Sequence, residues 1–430
     1  MITPLLGRLS NSGSGLQTGT VANQWMPGWG GTDLAPSVSA LGGTAGQRRT
    51  IIPCDGVLSN LYISLDTAGG SSRAWTFVVT KNNVDTTLTC TVTDPATTGS
   101  DLTHSVSVVA GDLIEIRVVA SNTGINATNL AYSMQFSAGV ASQCLTGSAS
   151  HLQGPATGAT NYIGLWNATS GQAVADFQWA AAQDVTHENI SPLAGTITSL
   201  YIKIITAPGA AKQWVFSIVK NGAEEVSSRV TIAGTTATTG SVTGLSIAIV
   251  AGDTLSLMAV PTGTPTSTGG LCWGVAFTST TDGESPMCGS VRNAGFNAAN
   301  TEYFVPMGNH AFSNTEARYQ DLAPIALTVR ALRWSVTAAP TAGKSYTLIS
   351  RNAGGNGNLS SVIADAATTG SDLVNNDSVA LAALFNYALT SQNTPAGTTM
   401  RWASVAFITT PVTPTFSTFG VITRLHGQPF

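Results

Sequence analysis

The chain has 430 residues, 43% of them hydrophobic and only 9% charged, with a formal net charge of −4. Globular domains ordinarily carry about 25% charged residues, so Ser, Thr, Asn, Gly and backbone groups must cover this surface. Such a balance argues against nucleic acid as a partner, because Lys and Arg supply most of that affinity, and against an anionic membrane surface.

The length allows roughly two to four domains. No run of about 18 apolar residues is present, so no membrane span is expected. The opening "MITPLLGRLSNSGSG" holds too short an apolar stretch for a secretory signal. Residues 1–19, rich in Gly and Ser, read as an N-terminal arm.

From residue 20 the pattern has period two. Leu61, Ile63 and Leu65 alternate with Tyr62 and Ser64, as in a half-buried strand. The first copy of the pattern reads as about eight strands, near 24–28, 48–53, 56–66, 73–81, 84–92, 103–109, 113–120 and 128–137. Asn82–Asn83 and an Ala-Gly-Asp triplet mark turns.

The same unit recurs twice. Pro53, Pro192 and Pro324 each stand eight residues before Leu61, Leu200 and Leu332, and twenty-two before Trp75, Trp214 and Tyr346. The phrase "ATTGS" follows each proline after 43, 45 and 43 residues. "VAGDLIEI" at Val109–Ile116 matches "VAGDTLSL" at Val250–Leu257, and "CWGVAF" at Cys272–Phe277 matches the end of "RWASVAF" at Arg401–Phe407. Markers in register over this span mean tandem copies. Their extents are 20–141, 160–281 and 300–411. Residues 142–159 and 282–299 read as linkers, and 412–430, with prolines and aromatics, as a C-terminal arm.

Short antiparallel strands without a helical stripe give the fold class: all-β, three tandem jelly-roll-like β-sandwiches with extended terminal arms. In this reading ATTGS is a turn whose glycines, Gly99, Gly240 and Gly370, supply a positive φ. Trp75, Trp214 and Tyr346 are expected to be core aromatics. The third copy has "LAALFNYAL" where Ala-Gly-Asp should stand, which puts its last strands in doubt.

Chemistry is sparse. His104, His151, His187, His310 and His426 fit no metal-ligand spacing, and no nucleophile elbow occurs. "AAPTAGKS" at Ala338–Ser345 has Ala338 where a phosphate loop needs glycine. "GWGG" at Gly28–Gly31 lacks the third glycine of a dinucleotide fingerprint. No cofactor or metal is expected. Carboxylate pairs such as Asp112 with Glu115, or Asp176 with Asp184, would suit glycoside hydrolysis only in a shared cleft. Asp112 and Asp253 instead follow Ala-Gly, as turn residues do. Glu224 and Glu225 follow an Asn-Gly turn and are expected in solvent. The five cysteines, 54, 90, 144, 272 and 288, are expected to be buried thiols, with a Cys272–Cys288 disulfide left open. Trp25, Trp29, Trp166 and Trp179 lie outside the shared strands and are candidate contact aromatics, either packing between copies or subunits or stacking on a glycan.

The run "GTITSLYIKIITAPGAAKQWVFSIVKNG" (Gly195–Gly222), followed by "TTGSVTGLSIAIVAGDTLSL", resembles repeats in tailed-bacteriophage virion proteins of the head-decoration, cement, head-fibre and tail-fibre type. The resemblance implies a non-enzymatic protein on the outer surface of a particle assembled in the host cytoplasm. Its partners would be other capsid or tail proteins and further copies of itself, as in a trimer. It carries no catalytic or binding residue across. The rival expectation is a receptor-binding fibre or carbohydrate-binding adhesin for a host-surface glycan. An exposed tryptophan cluster would favour the rival; aromatics buried alike in all copies would favour the structural role.

Overall fold

The computed structural model describes residues 2–11, 16–17, 24–29, 32–34, 49–70, 73–121, 126–127, 129–151, 154–166, 179–181, 188–291, 297–310, 312–395, 398 and 400–409. Among them it is all-β, with only two single-turn 3-10 segments.

Eight principal strands build the first sandwich: β1 (Ile2–Asn11), β2 (Gln24–Pro27), β3 (Gly56–Leu65), β4 (Ala74–Lys81), β5 (Val84–Thr93), β6 (Thr98–Val108), β7 (Leu113–Ala120) and β8 (Asn129–Ala138). The second repeats them as β9 (Gln143–His151), β10 (Asn161–Gly164), β11 (Gly195–Ile204), β12 (Gly209–Lys220), β13 (Val230–Gly234), β14 (Thr239–Ile249), β15 (Thr254–Thr262) and β16 (Leu271–Ser279). The third comprises β17 (Glu284–Val291), β18 (Glu302–Phe304), β19 (Leu327–Val336), β20 (Thr341–Asn352), β21 (Gly355–Asp365), β22 (Thr369–Val379), β23 (Leu384–Gln392) and β24 (Met400–Thr409).

Each unit pairs its strands in the same order. One sheet runs first–eighth–third–sixth and the other second–seventh–fourth–fifth. That connectivity agrees with an eight-stranded jelly roll. Alternate side chains meet between the sheets, so Trp75, Trp214 and Tyr346 are buried alike, as are Phe136, Phe277 and Phe407.

The stretches expected as an arm and linkers contain the opening strand of each unit. Residues 2–11 pair with β8, 143–151 with β16 and 284–291 with β24, all antiparallel. Their Gly/Ser-rich composition hid them, because each is stabilised by a partner more than a hundred residues away. Residues 412–430 lie outside the described residues.

The ATTGS phrase also reads differently in three dimensions. Its first residues complete the turn, but Gly99, Gly240 and Gly370 sit inside β6, β14 and β22 and are not among the positive-φ residues. Glycine is needed for space. An added Cβ at Gly99 would lie 2.8 Å from Cys90 Sγ, at Gly240 2.6 Å from Val230 Cγ1, and at Gly370 2.7 Å from Ser361 Oγ. The strand crosses there close beneath the opposite sheet. Gly240→Ala is therefore expected to destabilise the chain by about 1–3 kcal/mol through overpacking. Thermal unfolding beside Gly99→Ala and Gly370→Ala checks this, and three unchanged melting temperatures would refute the packing role.

The third unit keeps its last strands despite lacking Ala-Gly-Asp. Ala383 N–H donates to Ala380 O at 3.1 Å, just as Asp112 N–H does to Val109 O at 3.0 Å and Asp253 N–H to Val250 O at 3.1 Å. Ala382 takes φ 60°, where Gly111 has 95° and Gly252 106°.

The three units close head to tail. The outward face of each eighth strand is buried by the neighbour: Ala131, Ser133 and Gln135 in β8, Cys272, Gly274 and Ala276 in β16, Trp402, Ser404 and Ala406 in β24. Residues 51–53 of unit one cover β16, and Ser199 Oγ of the adjoining β11 donates to Pro53 O at 2.9 Å. Unit two covers unit three, with Asn189 Nδ2 3.3 Å from Cys288 Sγ and Trp402 and Ala406 joining the second core. Unit three covers unit one, where Gln135 Nε2 donates to Pro324 O at 2.8 Å and Leu322 packs on Tyr62 and Ala131. Equivalent surfaces are used in a cycle, which is the logic of a closed three-membered ring written in one chain. Units one and three also share a sheet, through parallel pairing of Thr32–Leu34 beside β1 and Gly308–His310 beside β17.

Candidate functional site

Among the described residues, the carboxylates singled out in the sequence are engaged in local contacts. Asp112 Oδ2 accepts the Val109 N–H at 2.8 Å, and Oδ1 accepts Asn82 Nδ2 at 2.7 Å. Asp253 does the same with Val250 and Asn221, at 2.9 and 2.8 Å. These are turn clamps. Glu115 is buried on the other side of the strand, 4.0 Å from Arg49, so it shares no cleft with Asp112. Glu224 is gripped by Arg229 at 2.8 and 2.7 Å, and Glu225 lies 3.5 Å from Lys220. Asp176 and Asp184 lie outside the described residues. Among the described residues no group of three or more His, Cys, Asp or Glu could hold a metal ion.

The four candidate tryptophans are corrected as surface aromatics. None is more than 9% exposed. Trp29 belongs to the first core, and Trp166 and Trp179 to the second. Trp166 meets Phe277 edge-on at 5.7 Å, and Trp179 stands 6.2 Å from Trp273. Trp25 is carried on β2, opposite Arg117 of β7. They seal the edges of the sandwiches, where an indole contributes more by burial than any other side chain. A sequence pattern without the flanking strands could not distinguish this from a glycan platform.

All five cysteines are buried, and none forms a disulfide. Burial pushes the thiols of Cys54, Cys90 and Cys272 up to about 12, and that of Cys288 up to about 11. The thiolate is the reactive form, so a thiol reagent at neutral pH is expected to find no reactive thiol until the chain unfolds, and then five. Rapid labelling of the native protein would contradict this.

A further feature of the surface is apolar. The turn before each seventh strand carries an exposed aliphatic: Val109 (56%), Val250 (60%) and Leu381 (51%). Asp112 and Asp253 fix two of these turns rigidly, and Asn82 and Asn221 tie them to the neighbouring hairpin tips. In a cyclic arrangement equivalent turns recur at three places around the ring, two of them clamped by an aspartate. The sequence showed the Val-Ala-Gly-Asp turns but not that their valines point outward. No protein-family model matches the sequence, and no curated protein matches it. The site must therefore be judged on its geometry.

Proposed function

We propose that this is a non-enzymatic structural protein of the outer surface of a bacteriophage particle, decorating or cementing the capsid or forming a fibre through protein–protein contacts. The observation that carries the reading is the closed cycle of three like sandwiches in one chain. Packing of that kind makes a rigid block from modest cores. Its exterior, low in charge and rich in hydroxyls, favours contacts with little sensitivity to salt. In this reading the threefold arrangement that the resemblance implies for separate chains is supplied within a single one, and the turns at Val109, Val250 and Leu381 meet the neighbouring virion protein.

Immunogold electron microscopy of the particle that carries the chain tests it. Label scattered over the head supports decoration or cement, and label on the tail supports a fibre. Absence of label from every particle sinks the proposal. The triple variant V109D/V250D/L381D should fold normally, since all three side chains are exposed, and should lose attachment by tenfold or more. Undiminished attachment would move the contact elsewhere.

A further inference from the structure

The hairpin that follows β12 turns on Asn221 and Gly222, with Lys220 paired to Ala223 across them. Both turn residues have positive φ, 50° and 81°, as a type I′ turn requires, and both are exposed. Nothing lies within 4 Å of a Cβ built on Gly222. An asparagine followed by glycine can react with its own backbone. The Gly222 nitrogen gives its proton to hydroxide from solvent and bonds to Asn221 Cγ. The Cγ–Nδ2 bond breaks and ammonia leaves. Water then opens the resulting cyclic imide at either carbonyl, which leaves aspartate or isoaspartate. A side chain on the second residue hinders the attack, and glycine has none.

The fold ties the Asn221 amide at both of its atoms. Oδ1 accepts the Thr254 N–H at 2.9 Å, and Nδ2 donates to Asp253 Oδ1 at 2.8 Å. The Asn221 N–H donates to Thr254 O at 2.9 Å. Turning Cγ onto the Gly222 nitrogen breaks both side-chain bonds, so the reaction must wait for a local opening of the tip. Unit one has the same clamp, with Asn82 on Asp112 and Leu113, but Asn83 follows and crowds the nitrogen. In unit three Ala353 follows Asn352. The other Asn-Gly pair of the chain is Asn356–Gly357. There Gly357 is packed inside β21, and an added Cβ would lie 2.3 Å from both Asp377 Oδ2 and Ser350 Oγ.

We propose that Asn221 is a site of spontaneous deamidation, and that the clamp from Asp253 and Thr254 sets its rate. The consequence is local and chemical. The product places a second carboxylate where Nδ2 donated, facing Asp253 Oδ1, and like charges at that distance repel. Asp253 also holds the Val250 N–H through its other oxygen at 2.9 Å. Deamidation therefore loosens the hairpin tip from the turn that carries Val250. The chemistry stands whatever that turn contacts.

Prolonged incubation of the folded full chain at mildly alkaline pH, followed by peptide mapping with mass spectrometry, tests this. Conversion to aspartate and isoaspartate is expected at Asn221 ahead of every other asparagine. Gly222→Ala should abolish it and keep the fold. Asp253→Ala should speed it by about tenfold or more, the gain in open population when a hydrogen bond to a charged group is removed. Asn221→Asp should melt where the aged wild type melts. Where Asp253→Ala does not fold, wild type in urea against native wild type replaces it, and the unfolded chain should react faster at Asn221. Conversion led by another asparagine, or an Asn221 rate indifferent to Asp253 and to unfolding, overturns the proposal.

Discussion

Gly274→Val is expected to destabilise the chain by about 2–3 kcal/mol and to split its thermal unfolding into two steps. Gly274 lies on the outward face of β16, between Trp273 and Val275, which point into their own sandwich. An added Cβ would stand 2.5 Å from the carbonyl oxygen of Ile51 and 3.1 Å from Pro53 Cδ, both in the neighbouring unit. Backbone cannot move aside as a flexible side chain does, so overpacking here costs at the upper end of the usual range of about 1–3 kcal/mol. The strain falls between units one and two, while the core of unit two is untouched. The ring should open at that joint and lose cooperativity. Gly222→Ala is the control. Its φ of 81° makes alanine mildly strained, but nothing lies within 4 Å of the added atom, so one transition should persist. Differential scanning calorimetry reads both, and a single unshifted transition for Gly274→Val would rule out the interface role.

Asp101→Asn is expected to cost about 1–3 kcal/mol at neutral pH and to remove part of the acid sensitivity of the fold. Asp101 sits opposite the bulge of β3, where the strand register slips between Ser59 and Leu61. Its carboxylate accepts the N–H groups of Thr89 at 2.8 Å, Thr103 at 3.1 Å and His104 at 3.1 Å, and meets the His104 ring at 2.9 Å. Burial alone would raise its pKa, but these donors outweigh it and hold the group down at about 2. An unfolded aspartate titrates near pH 3.9. The folded state therefore favours the ionised form, and its contribution is complete above about pH 4 and lost as the pH falls towards 2. Asp372, with Ser360, Val374 and Asn375 as donors, is lowered for the same reason. Denaturant unfolding from pH 7 to 2 should show the wild type converging on Asp101→Asn at the acid end. Parallel curves would refute the linkage. Unit two has Val242 at this position and no carboxylate; Gly244 relieves its strand with φ 70°.

Much of the fold was legible because it is local and threefold repeated. Period-two alternation named the strands from Gly56 to Ala120 to within a few residues, and the recurrent prolines, aromatics and Ala-Gly-Asp turns placed three units in register. The boundaries failed where pairing is remote. β1, β9 and β17 are weak in pattern and become strands only beside β8, β16 and β24. The tryptophans at 25, 29, 166 and 179 failed likewise, since flanking position along the chain says nothing about what will fold over an indole.

By itself the sequence determined an all-β chain, its threefold repetition and its sparing use of charge, because alternation, turn residues and composition are properties of short windows. The tertiary structure alone decided that the three units close on one another and that Gly240 and Gly274 serve close approach. It also decided that Asp101 and Asp372 satisfy a bulge, and that Ser350 and Asp377 bond to each other inside the core of the third unit. Each of these depends on which atoms of distant segments come within a few ångströms, and steric exclusion and hydrogen-bond satisfaction act only at that range.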